Sequence, residues 1–211
     1  MNTTKKHFVF DLDDTLTDSY QFNQQTFVDV FAAYLDLSDP LVEKYLRDLH
    51  YNSRGTPIYD QFVEAVKHFA LSIDPKVLLK ADEALQLQGV QGMKIFDAVE
   101  EMIKMLKLKG KEVTIFSNRH GKSLRMILKA HKLLPYLSNV ISCADEGHEK
   151  PDPYCLNKLI ADSGMAKEEF IYFGDSRTDF ECAQAAGIDA VIIDHYLNQK
   201  KFYQMMIQAF V

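Results

Sequence analysis

Long apolar runs are missing from this chain. Ahead of its first acidic residue, Asp11, the N-terminus offers only the short stretch 7–10 behind Lys5 and Lys6. A secretory signal needs roughly 7–15 consecutive apolar residues and a membrane-spanning helix about 20. A soluble, cytoplasmic protein without a membrane partner is therefore expected. Excess positive charge is missing too: 24 Lys and Arg stand against 30 Asp and Glu, a net charge of -6. That balance argues against a protein that binds a nucleic-acid polymer through a basic surface. Cysteine is scarce. Cys143, Cys155 and Cys182 are odd in number and lack metal-ligand spacing, so they are read as free thiols in a reducing compartment. Internal repeats and low-complexity segments are also lacking.

What the chain does have is enough apolar material for a substantial core: 47% of its 211 residues are hydrophobic. Short runs of branched and aromatic residues occur at 7–10, 113–116, 170–173 and 190–193, with a weaker one at 139–142. Such runs suit strands buried on both faces of a parallel sheet. Helical periodicity lies between them. Ile95, Phe96, Val99, Met102, Ile103 and Leu106 form one apolar stripe, with Gly110 placed to end it. Leu124, Ile127 and Leu128 mark a second helix, and Leu156, Leu159 and Ile160 a third. Alternating strands and helices predict an α/β fold with a doubly wound parallel sheet, in which ligands sit beyond the carboxyl ends of the strands.

The segment 17–87 departs from this rhythm. Phe27, Val30, Phe31 and Tyr34 share one helical face, Leu41, Tyr45, Leu46 and Leu49 another, and two more stripes follow. This predicts an all-helical domain inserted after the first strand, leaving 1–16 and 88–211 as the α/β core. Glycines at 89 and 92 suit its return hinge or an ordinary loop.

Chemistry concentrates at the strand ends. Asp11 and Asp13 follow the first strand, and buried carboxylates there demand a cation or hydrogen bonds. Ser117 and Asn118 follow the second main strand, where a hydroxyl and backbone N–H groups form an anion site or simply a helix cap. Lys150 precedes the rigid turn 151–153 and, taken singly, reads as a solvated lysine. Gly174, Asp175, Ser176 and Asp179 follow a third strand, with helix capping as the plainer reading. Together the hard oxygen donors favour Mg2+, and a serine, a lysine and a metal can neutralise a phosphoryl group. A carboxylate would then be left to attack as nucleophile.

This ordered set resembles the haloacid-dehalogenase-like superfamily across the whole core, at Asp11–Leu16, Ser117–Asn118, Lys150–Pro153 and Gly174–Asp179. The helical insertion is similar to the cap of its phosphoglycolate-phosphatase-like branch. The resemblance implies a Rossmann-like core and a magnesium-dependent phosphatase acting on a small-molecule phosphate monoester. Asp11 would be the nucleophile and a metal ligand. Asp13 would protonate the leaving alcohol, then activate water, and lend the metal its backbone carbonyl. Ser117 and Asn118 would hold the phosphoryl oxygens, and Lys150 would pair with Asp11 and phosphate. Asp175 would be a further metal ligand, and Asp179 a support for metal or lysine. Asp13 argues against the dehalogenases, which lack it. The related sugar-phosphate mutases share a Ser53-Arg54 pair but use a cap histidine near the position of Asn23, which ranks them second. A non-catalytic phosphate-binding or regulatory protein on the same scaffold would have lost Asp11, Asp13 or Lys150. A receiver domain would need neither the insertion nor Asp13. Arg54, in the insertion, is a candidate for clasping a second anionic group on the substrate. His120 reads as solvent-facing or as a substrate contact. Phosphoglycolate, a nucleoside monophosphate and a sugar phosphate are all compatible with these residues.

Overall fold

The computed structural model describes residues 4–193 together with Phe202, Tyr203, Gln204 and Met206; the rest of the expected core segment 88–211 lies outside the described residues. β1 (His7–Phe10) is fully buried and ends on Asp11. A two-residue strand, β2 (Thr17–Asp18), leads into helices α1 (Tyr20–Asp29), α2 (Pro40–Asn52), α3 (Ile58–His68) and α4 (Pro75–Gly89). The chain returns through β3 (Lys94–Ile95), which pairs antiparallel with β2. It then alternates: α5 (Val99–Leu108), β4 (Glu112–Ser117), α6 (Gly121–Ala130), β5 (Asn139–Ser142), α7 (Cys143–Glu146), α8 (Tyr154–Ser163), β6 (Phe170–Gly174), α9 (Arg177–Ala186) and β7 (Asp189–Ile192).

The five main strands form one parallel sheet in the order β5-β4-β1-β6-β7, with β1 at its centre. Alternation along β1 sorts its side chains to two layers. Phe8 and Phe10 pack with Ile115, Met102, Ile103, Leu124 and Ile127 on the α5–α6 side. Val9 packs with Phe116, Tyr172, Leu156 and Cys182 on the α8–α9 side. The predicted doubly wound sheet is therefore present, and the weakest strand expected from sequence, β5, is an edge strand. All three cysteines are buried free thiols.

Helices α1–α4 pack around a separate cluster of Phe27, Phe31, Leu46, Phe62 and Leu78. Phe27 and Phe62 stack with ring centroids 5.2 Å apart. Asp39 and Asp74 cap α2 and α4 by accepting from backbone N–H groups, and each helix has Pro at its first position. Two expectations shift. Leu41 lies at the exposed first turn of α2 instead of on its packed face. The helix expected from Ile95 begins only at Val99, because Ile95 is paired with Thr17 and Phe96 donates its N–H to the Leu16 carbonyl. No helix among the described residues is long and apolar enough to cross a membrane.

Candidate active site

Parallel register brings the carboxyl ends of β1, β4 and β6 side by side, so that Asp11, Ser117 and Asp175 meet at one sheet edge. The loop after β1 turns sharply. Leu16 and Thr17 both donate backbone N–H groups to the Leu12 carbonyl, and Asp14 takes a positive φ of 57° with its carboxylate against Ser19. This turn leaves Asp11 and Asp13 directed to the same cavity, of about 600 Å³, between the sheet edge and α1–α4.

Lys150 is buried, contrary to its reading as a solvated residue. Asn118 explains why: its carboxamide oxygen accepts from the Lys150 N–H at 2.7 Å and its amide donates to the Lys150 carbonyl at 3.2 Å. Pinned at both backbone groups, Lys150 aims its Nζ at Asp11 Oδ1 (2.8 Å) and Asp179 Oδ1 (2.7 Å). Asp179 is saturated. Its Oδ1 also accepts from the Tyr172 hydroxyl at 2.8 Å, and its Oδ2 from the N–H and hydroxyl of Ser176 at 3.0 and 2.5 Å. Ser176 is at the same time the N-cap of α9, so capping and site assembly coexist. Gly174 is required here, since a Cβ at that position would lie 2.4 Å from the Asp179 side chain.

Asp11, Asp175 and Asp179 each offer an oxygen within 4.8 Å of the others. Burial, opposed by Lys150 and reinforced by the neighbouring carboxylates, pushes Asp11 well above the ordinary range. Burial works against the charge on Lys150, but Asp11 and Asp179 outweigh it and raise its pKa. Three acidic side chains thus converge on one ammonium group. The all-oxygen donor set would fit a hard divalent cation.

Asp13 stands apart from this cluster. Its carboxylate is clasped by Arg119, with Nε to Oδ2 at 2.8 Å and Nη2 to Oδ1 at 2.7 Å. Arg119 also donates to Gln86 Oε1 and Asn23 Oδ1, joining the sheet edge to α4 and α1. Burial pushes the Asp13 pKa up, but the Arg119 charge and hydrogen bonds from Arg119, Asn23 and Ser19 overcome it and hold the carboxyl below its ordinary range. Ser117 lines the cavity, its hydroxyl accepting from the Arg119 N–H at 3.1 Å. Arg54 also lines the cavity, its guanidinium 5.8 and 5.5 Å from the ring centres of Tyr20 and Tyr51. His120 is half exposed beside Asp145 and Glu83.

Sequence reasoning overlooked Arg119, Tyr172, Gln86 and Asp82. In the sequence Tyr172 reads only as a residue of an apolar strand. Asp82 and Gln86, four apart on α4, form a polar pair on the side of that helix facing the cavity, a spacing that could have revealed them. Arg119 directly follows the Ser117-Asn118 pair, and its position was the only available signal.

The chain matches the haloacid dehalogenase-like hydrolase family over residues 8–193. It belongs to that family. Among this hydrolase's relatives is a phosphoglycolate phosphatase of Aliivibrio fischeri, 25% identical over 198 residues, which cover 92% of this chain and 86% of the relative. Another, from Escherichia coli K12, is 29% identical over 108 residues, or 51% of this chain and 43% of the relative. The hydrolase therefore sits in the phosphoglycolate-phosphatase-like branch. A haloacid dehalogenase-like hydrolase of Bacteroides fragilis shares its fold with a TM-score of 0.76 at 20% identity, covering 95% of this chain and 93% of the other.

Proposed function

We propose that this hydrolase is a magnesium-dependent phosphatase that cleaves a small-molecule phosphate monoester through an aspartyl-phosphate on Asp11. The observation that carries this reading is the buried Lys150 ammonium held between Asp11 and Asp179, with Asp175 completing an oxygen cluster. Asp11 and Asp175 are the proposed metal-ligating carboxylates, with the Asp13 backbone carbonyl beside them. Asp179, saturated by Lys150, Tyr172 and Ser176, supports the lysine. Bound Mg2+ would supply positive charge to Asp11 and to the phosphoryl oxygens.

An Asp11 carboxylate oxygen attacks phosphorus, and the bond from phosphorus to the ester oxygen breaks. The departing alkoxide takes its proton through Asp13, which must carry that proton in the substrate-bound state although Arg119 favours its anion in the free protein. Asp13 then takes a proton from water, the water oxygen attacks phosphorus, and the acyl phosphate bond to Asp11 opens to release phosphate. Arg119 favours the anion of Asp13, the form the second half requires. Lys150, with Ser117 and Asn118, neutralises or holds the phosphoryl oxygens. Asn23, an amide with no proton to relay, contacts Asp13 where a mutase would use histidine. We assign 17–87 as a cap over a core of 1–16 and 88–211, with Arg54 on the substrate side of the cap. Three reduced, buried cysteines suit a cytoplasmic enzyme.

The test is steady-state hydrolysis of an aryl phosphate with Mg2+ and with chelator, for wild type and Asp11→Asn. Phosphate release should need the metal and fall by on the order of 10³-fold or more in the variant. Activity that survives Asp11→Asn would remove Asp11 as nucleophile.

A further inference from the structure

Asp82 is a buried acid that the chemistry above does not use. It lies on α4, seven residues before the chain leaves that helix, and is 7% exposed. It lines the same cavity as Asp11 and Asp13. Its Oδ1 is buried and has no hydrogen-bond partner in the structure. Thr26, Gln86 and Arg119 lie near enough to favour its charged form, yet burial outweighs them and lifts its pKa to about 6. Leaving a buried carboxylate oxygen without a donor costs on the order of 1–3 kcal/mol, more for a charged group. Neighbouring donors make their hydrogen bonds elsewhere: Arg119 to Asp13, Gln86 Nε2 to Thr26 and Asn23, and Thr26 Oγ1 to the Asn23 carbonyl.

The rest of the cavity wall agrees with an occupant bearing a donor. Gln61 Nε2 donates to the Ser53 and Thr56 carbonyls, so its Oε1 accepts from His50 Nδ1 at 3.0 Å. That fixes the His50 tautomer with its proton on Nδ1 and leaves Nε2 as an acceptor. Two acceptors, Asp82 Oδ1 and His50 Nε2, thus belong to α4 and α2 on the cap side of a cavity of about 600 Å³. A two-carbon carboxylate leaving group would occupy a small part of that volume and would bring a negative charge toward Asp82.

We propose that Asp82 is a specificity-determining residue whose Oδ1 accepts a hydrogen bond from a hydroxyl or ammonium group on the alcohol portion of the substrate. The preferred substrates are accordingly phosphate monoesters of polyhydroxylated or amino alcohols, in place of phosphoglycolate. This rests on the phosphatase reading. An anionic group at Arg54 is compatible with it, because that arginine comes from the α2–α3 connection and not from α4.

Two sets of measurements test it. Wild type with Mg2+ is assayed on ribose 5-phosphate, glucose 6-phosphate, phosphoethanolamine, phosphoglycolate and n-butyl phosphate. The same panel is run on Asp82→Asn and Asp82→Leu, with thermal unfolding to confirm that each is folded. At least one donor-bearing ester should exceed phosphoglycolate and n-butyl phosphate in kcat/KM by about tenfold or more, the scale of one hydrogen bond to a buried charge. That ratio should fall about tenfold in Asp82→Asn and further in Asp82→Leu, chiefly through KM. A wild-type ranking led by phosphoglycolate, or a ratio unchanged in the folded variants, overturns the assignment while leaving the phosphatase intact. No hydrolysis of any ester by wild type overturns both. Should neither variant fold, the wild-type ranking decides.

Discussion

The sheet edge and the helical wall opposite it treat their polar groups in opposite ways. At the sheet edge Asp179 accepts from Lys150, Tyr172 and Ser176, and Lys150 is pinned by Asn118 at its backbone and by two carboxylates at its tip. On the helical side, Arg54 rests on the faces of two tyrosines, and an oxygen of Asp82 has no donor. One wall is organised before any substrate arrives, as electrostatic catalysis of phosphoryl transfer demands. The other keeps capacity in reserve. Chemistry common to many substrates belongs on the wall whose charged groups hold one another, and selection among substrates on the wall that still offers an acceptor.

The contrast can be broken most severely at Lys150. Lys150→Met should remove the ammonium and leave Asp11 and Asp179 as uncompensated buried charges. We expect hydrolysis to be lost and stability to fall by about 3–5 kcal/mol, read by urea unfolding at neutral pH. An unchanged midpoint would mean that the charge cluster is already relieved by water or ions.

A sharper test separates the two hydrophobic cores. Phe62→Ala removes a ring stacked on Phe27 at the centre of α1–α4, a loss of about 3–5 kcal/mol in a well-packed site. If those helices form a unit of their own, amide exchange should accelerate throughout α1–α4 while β1, β4 and β6 keep their protection. Uniform acceleration in both regions would show one cooperative unit and argue against a separable cap.

The smallest effect concerns pH. His7, buried in β1 and stacked on Phe170, bonds Thr114 through Nε2 and is depressed by burial from 6.5 to about 4. A histidine held neutral in the folded state contributes stability that is full above the unfolded value and is lost as pH falls toward the folded one. Wild type should therefore lose on the order of 1–3 kcal/mol from this residue between about pH 6.5 and 4. The pH slope of His7→Phe, measured by urea unfolding, should be shallower over that window. Equal slopes would assign the loss to other groups.

Much of this architecture was legible in the residues themselves. Four of the five strands stood out as short apolar runs because both faces of a parallel sheet are buried, and the insertion stood out because its period changed from strands to helices. The acidic loops were legible because carboxylates directly after buried strands need compensation. Local sequence could not show that Lys150 is buried, since that depends on Asn118 arriving from a strand end 32 residues away. Nor could it show that Arg119 clasps Asp13 across 106 residues, or that a polar pair on α4 would face the same cavity. Periodicity and burial are properties of neighbours in the chain, so the sequence by itself determined which elements form and which loops carry charge. The partner of each charged group is a property of neighbours in space, and only the parallel register of β1, β4 and β6 and the packing of α1 and α4 over their ends decided it.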